Sequence, residues 1–242
     1  MREFAQTHEI QQHLFPKASP KIDSFDIAGA SYPAEATGGD YFDYLPMLNN
    51  CTGVVVGDVT GHGVGPALLM AETRAYLRIL ARNREDPAEI LYRTNLVLAE
   101  DVGAERYVTL MLLQLNPASK TVSYANAGHI PGYILSKDGA TKHILKRTGP
   151  PLGLRGDATY TAAPEIPLVS GDLILLLTDG FEEALSQEEE FFGMKRVLDH
   201  IKAHQHEPAH QIVRKLYHRF REFTEGATQL DDLTIVVVKF NG

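Results

Sequence analysis

The chain has 242 residues, 44% hydrophobic and 22% charged, and 23 Lys plus Arg against 31 Asp plus Glu give a net charge of −8. That is enough apolar material for one large domain or two small ones with a full core, and it excludes a disordered chain. The acidic balance lacks the basic footprint of a nucleic-acid binder. The single cysteine, Cys51, excludes an intrachain disulfide or a Cys-based zinc site, and apolar runs such as LILLL at 173–177 fall far short of the roughly 20 residues of a membrane span.

Residues 1–15 read as a short amphipathic helix with Phe4, Ile10 and Leu14 on its apolar side, stopped by Pro16. It has little to pack on within itself. It fits the end of a longer helix from an upstream domain, or a contact with a second copy. The opening MREFAQTHEIQQHLFP has no signal-peptide core, and the lone cysteine suits a reducing compartment, so a cytoplasmic setting is expected. FDIAGASY (25–32), DYFDYLPM (40–47) and TGVVVGDV (52–59) then read as strands, rich in β-formers and bounded by Gly, Asn or Pro. Residues 64–83 and 86–101 read as two helices, the second opened by the Asp86-Pro87 cap, and Leu68, Leu69 and Met70 are expected in the core.

Strands return at 106–116 and 121–128, then at 132–136 and 141–146 around the Asp138-Gly139 turn, and at 172–180. Residues 193–204 and 207–224 read as a second helix pair, and 231–240 as a last strand. Strands, a helix pair, many strands, a helix pair and one strand do not alternate as a parallel doubly wound fold would. Two antiparallel sheets with helix pairs outside them fit better, with the wholly apolar strands buried on both faces.

Aspartates mark the ends of the most apolar strands: Asp40 and the pair Asp231 and Asp232 at strand starts, Asp58 and Asp179 at strand ends. Taken singly, Asp beside Gly is ordinary turn chemistry. Gathered at one edge of a sandwich, such carboxylates repel one another unless a cation neutralises them. Oxygen ligands without cysteine favour Mg²⁺ or Mn²⁺, and a pair of such ions makes a hydrolytic centre for phosphate esters.

GGDYFD (38–43), GDVTGHGVGPALLM (57–70), NAGHIPGYIL (126–135), GPPLGL (149–154), LLLTDGFEEA (175–184) and DDLTIVVVK (231–239), in that order, resemble the SpoIIE/RsbU branch of the metal-dependent (PPM) protein serine/threonine phosphatases. The resemblance covers nearly all of residues 20–240. It implies an α+β fold, a four-layer α-β-β-α sandwich, with a phosphatase domain over 17–242 and a linker or dimerisation helix over 1–16.

Carried over motif by motif, it implies two divalent cations, Mn²⁺ or Mg²⁺. Asp58 would bridge them, the Val59 carbonyl would bind one, Asp179 and Asp231 would complete the bridged pair, and Asp40 would reach a metal directly or through water. The family pattern puts the ligand first of the Asp231–Asp232 pair, which favours Asp231. The implied reaction is in-line attack of an activated water on phosphoserine or phosphothreonine without a phosphoenzyme, with Asp58, Asp179 and Asp231 carrying the catalysis.

The implied substrate is a phosphorylated STAS-domain anti-anti-sigma protein in a partner-switching pathway. An upstream receiver or sensor domain and a homodimer through the N-terminal helix are implied partners, with no nucleic acid and no membrane. Two other readings are a catalytically weak or inactive docking domain that keeps the fold, and a hydrolase of small phosphoesters. His62 and His129 read as loop or packing residues in preference to catalytic ones. Asp43 is open between a residue supporting the site and an exposed strand residue. Glycines 57 and 61–65 are expected to let the backbone turn beside the cations.

Overall fold

The computed structural model describes residues 2–84, 86–103, 106–225 and 227–242, with side chains from residue 7 onward. The strongest signal is the doubly buried strand. In β3 (Thr52–Val59) Val54 and Val56 face one way and Val55 and Val59 the other, and all are buried. In β9 (Leu173–Leu177) and β10 (Leu233–Phe240) the same period of two sends Ile174, Leu176, Val236 and Val238 inward, and Leu175, Leu177, Ile235 and Val237 outward. Each such side chain contributes roughly 1.5–3 kcal/mol on full burial. Both faces of both sheets must therefore be covered.

Two five-stranded antiparallel sheets meet that demand. One runs β1 (Phe25–Tyr32), β10, β9, β6 (Gly132–Leu135), β7 (Thr141–Leu145). The other runs β2 (Tyr41–Pro46), β3, β4 (Val108–Asn116), β5 (Thr121–Ala127), β8 (Ile166–Pro167). They pack face to face around Phe42, Met111, Leu113, Leu176 and Val236. Helices α2 (Val64–Ala81) and α3 (Pro87–Asp101) cover the outer face of the second sheet. Helices α5 (Gly193–His204) and α6 (Ala209–Thr224), with the short α4 (Gly180–Glu183), cover the first. The expected four-layer α-β-β-α order is present. Among the described residues no helix is long and apolar enough to cross a membrane.

Three local expectations need correction. The N-terminal helix α1 is Arg2–Gln12, shorter than 1–15. Its inward residue is Gln11, 4% exposed, while Ile10 is 64% exposed; Leu14 and Phe15 pack on the core from the turn beyond it. Phe4 lies outside the described side chains. Leu68 is also exposed, at 66%, although Leu69 and Met70 are buried. A step of about 100° per residue cannot place three consecutive side chains on one helical face. Helix α4 and strand β8, of four and two residues, are too short to leave a periodic signal.

A candidate metal centre at the sandwich edge

Antiparallel pairing brings the aspartates together. In the second sheet Tyr41, which opens β2, lies opposite Gly57 near the end of β3, so Asp40 comes beside Asp58. In the first sheet Ile235 of β10 lies opposite Leu177, the last residue of β9, so Asp231 and Asp232 come beside Asp179. The sheets face each other, and both pairs stand at the same edge.

Asp40 is 3% exposed and accepts a hydrogen bond from Thr178 Oγ1 at 2.8 Å. Burial, then the charges of Asp58 and Asp232, raise its carboxyl well above the usual range, against hydrogen bonds from Thr234 and Thr178. Asp58 is pushed up to about 7 by burial, then by Asp179, Asp231 and Asp232. Asp231 is exposed as a residue, but partial desolvation of its carboxylate, followed by Asp179, Asp232 and Glu183, pushes it up to about 6. A hydrogen bond from Asp232 N to Asp231 Oδ1, at 2.8 Å, opposes that rise.

The neighbours Asp231 and Asp232 do different things. Asp232 is 8% exposed, and its oxygens accept from Ala34 N at 2.8 Å and Asp40 N at 3.3 Å. Its carboxylate lies so close to Gly38 that a Cβ there would collide with it. Asp232 thus holds the chain that carries Asp40, while Asp231 keeps its outer oxygen free of such backbone bonds. Gly39 has the same logic toward β3: a Cβ on it would stand 2.5 Å from the Val59 carbonyl oxygen and 3.2 Å from Asp58 Oδ1. The space in front of that carbonyl exists because residue 39 is glycine. Of the glycines in the loop after β3, Gly61 and Gly63 take φ of +94° and +85°, as expected for a sharp turn. Gly57 instead answers to packing, since a Cβ on it would lie 2.9 Å from Thr109 O in β4.

The donor chemistry fits hard divalent cations. Carboxylates and a backbone carbonyl gather with no sulfur or imidazole among them, and among the described residues no ion pair reaches Asp40, Asp58, Asp179, Asp231 or Asp232. Among the described residues no group of three or more acidic, histidine or cysteine side chains forms a closed chelate.

His62 stands outside this cluster. Its side chain is 87% exposed and lies 3.6 Å from Glu35. His129 is buried; Nε2–H donates to Leu177 O at 2.9 Å, and Nδ1 accepts from Thr109 Oγ1 at 2.8 Å. Burial lowers its pKa to about 4, so it is a neutral tie between the sheets. Asp43 is fully buried and not exposed. Arg78 grips it through Nε at 2.6 Å and Nη2 at 2.7 Å, and Tyr41 Oη and Tyr44 N donate to it, both at 2.8 Å.

Other residues near the site escape sequence reasoning. Gln11 of α1 donates from Nε2 to Gly38 O at 2.6 Å and accepts from Gly38 N at 3.1 Å. Arg147 shares a cavity of about 260 Å³ with Asp179 and donates from Nε to His129 O at 3.4 Å. Neither has a local signal: Gln11 meets Gly38 across 27 residues, and Arg147 follows β7 as one cation among many.

Two facing antiparallel sheets between helix layers, with carboxylates gathered at one edge, define the PP2C class of metal-dependent serine/threonine phosphatases. The chain belongs to the Stage II sporulation protein E (SpoIIE) family, whose model matches residues 49–241. It is 27% identical to Protein IcfG of Synechocystis sp. over 99% of this chain and 42% of that protein. It is 27% identical to phosphoserine phosphatase RsbU of Bacillus subtilis over 95% of this chain and 68% of RsbU. Among solved structures, the SiaA-PP2C domain of Pseudomonas aeruginosa matches with a TM-score of 0.86 and 25% identity, covering 99% of this chain and 96% of that domain. The chain therefore spans less than half of IcfG and about two thirds of RsbU.

Proposed function

We propose that the protein is a divalent-metal-dependent phosphatase that hydrolyses phosphoserine or phosphothreonine on a STAS-type protein of a partner-switching pathway. The observation that carries this reading is the cluster of aspartates, without a cationic partner among the described residues, at the edge of a PP2C-type sandwich. The likeness to a phosphoserine phosphatase supports the substrate class.

In this reading Asp58, the Val59 carbonyl, Asp179, Asp231 and Asp40 would hold the divalent cations. Asp232 orients Asp40 through the backbone. Bound there, Mg²⁺ or Mn²⁺ would supply positive charge for the phosphoryl group and lower the pKa of the attacking water. The protein's part is to hold the carboxylates rigidly, with Thr178 fixing Asp40 and Gly39 keeping the Val59 carbonyl open.

Residues 1–16 are proposed as a linker and dimerisation helix, and 17–242 as the phosphatase domain. Ile10 in water and Gln11 on Gly38 are the supporting features. Deleting residues 1–15 should lower both the mass by light scattering and the turnover; unchanged values would leave the helix a tether.

The rival reading, a docking domain without catalysis, draws on the lack of a preformed chelate among the described residues. Hydrolysis of p-nitrophenyl phosphate and of phosphorylated STAS proteins, with Mn²⁺ and with chelator, separates the two. Mn²⁺-dependent turnover of both substrates is the expected result. Turnover of the small ester alone would favour a small-phosphoester hydrolase, and no turnover would favour the docking domain.

A further inference from the structure

The acidic cluster opens on two sides, and the openings differ in character. The Asp179 side is the small cavity with Arg147, Thr109 and His129. The Asp58–Asp231 side is a groove of about 460 Å³ between the loop after β3, the end of α4 and the loop after α6. Its floor includes Phe220 and Thr224, 1% and 5% exposed, and Ala184 and Leu185 form part of one wall. Leu230 stands at its rim, 82% exposed. Its lining carries the carboxylates of Asp58, Asp231 and Glu183 and the imidazole of His62, with no lysine or arginine among the described lining residues.

We propose that this groove receives the residues flanking the phosphorylated side chain of a protein substrate, and that it selects apolar neighbours and rejects acidic ones. The proposal rests on the phosphatase reading for the position of the phosphate. The volume lies in the range of ligand sites and suits a few side chains. It begins at Asp58 and Asp231, so a chain whose phosphate lies at the cluster has its neighbouring residues at the groove mouth. Phe220, Ala184, Leu185 and Leu230 give the groove apolar surface that favours burial of an aliphatic side chain. A carboxylate in the same place would face Glu183 with no lysine or arginine among the described lining residues to offset it, and that repulsion remains even where Asp58 and Asp231 are neutralised. The groove therefore adds sequence selectivity to a cluster that recognises phosphate alone.

The test uses two fluorescein-labelled peptides that carry a non-hydrolysable phosphonate analogue of phosphoserine. They are identical except for Leu or Glu on both sides of it. Binding to the full chain with Mn²⁺ is followed by anisotropy. The Leu peptide should bind about tenfold tighter, the scale of discrimination an apolar pocket provides. Thr228→Trp, which fills the groove from its outer loop, should bring the two affinities within about twofold. Glu183→Lys, a second variant independent of that filling, should shift preference toward the Glu peptide.

Equal wild-type affinities, a preference for Glu, no binding of either peptide, or a preference unchanged in both folded variants would overturn the proposal. Hydrolysis of p-nitrophenyl phosphate by the wild type is measured alongside. If the Leu preference holds but the ester is not cleaved, the catalytic reading fails and the groove stands. If the ester is cleaved and the peptides are not distinguished, the groove fails alone.

Discussion

Asp40 and Asp43 stand three residues apart at the start of β2, both buried, in opposite surroundings. Asp43 points toward α2, where the Arg78 guanidinium binds both its oxygens, Arg74 lies 3.7 Å away, and two further donors complete its shell. Asp40 points to the sandwich edge, where its charged neighbours are the like charges of Asp58 and Asp232. A buried carboxylate costs several kcal/mol unless it is paired. At Asp43 the fold supplies the pair from its own chain. At Asp40 it supplies further carboxylates, so the charge is relieved by protonation or, in the proposed reading, by a cation from solution. The same residue type, just before and within one strand, is therefore a ligand candidate at Asp40 and a structural tie at Asp43.

Removing a charge from each region should sort them. If Asp58 is the shared ligand of the proposed centre, Asp58→Asn is expected to lower phosphatase turnover by about a thousandfold or more. The same variant should melt no lower than the wild type in chelator, because it relieves repulsion. Arg78→Met should do the reverse. It leaves Asp43 buried with only the more distant Arg74 and should cost about 3 kcal/mol in urea denaturation. Activity lost in proportion to unfolding would complete that result. If Arg78→Met is as stable as the wild type, the contrast fails.

The adjacent pair Asp231 and Asp232 sharpens the comparison within the cluster. Asp231→Asn should reduce turnover about a hundredfold with little change in stability. Asp232→Asn loses an acceptor for Ala34 N or Asp40 N, so it should cost about 1–2 kcal/mol in stability and keep measurable turnover. The opposite kinetic ranking would move the ligand by one residue.

His200 offers a smaller contrast, a half-buried base whose desolvation outweighs the attraction of Glu207. Burial, then the stacked His204, lowers its pKa to about 4, while the unfolded chain takes up its proton near 6.5. Its depressed pKa means that the unfolded state binds more protons between those values. Its share of stability is therefore full above about 6.5 and is lost as the pH falls toward 4. After allowance for its partial exposure, His200→Leu should flatten the stability–pH curve over that window by about 1 kcal/mol relative to wild type. Parallel curves would show that the ring titrates normally.

The cluster was legible in the sequence because its signals are local: aspartate, glycine and a hydrophobic strand side by side. The doubly buried strands were equally plain in VVV and LILLL. The partners of Asp43 were not, since Arg78 lies 35 residues away and nothing in YFD distinguishes a paired aspartate from an exposed one. Gln11 was hidden for the same reason: a polar residue in an amphipathic helix reads as solvent-facing until its partner, the Gly38 backbone, is placed. Leu68 was misplaced by reading a run of apolar letters where helical geometry permits two of three to face inward.

The most direct test of the central claim, that the unpaired carboxylates form a divalent-cation site, is Mn²⁺ binding by calorimetry on the wild type and Asp58→Asn. The account predicts two ions bound per wild-type chain, with binding weakened at both positions in the variant. Absence of binding by the folded wild type at millimolar Mn²⁺, or equal binding by the folded variant, would contradict it.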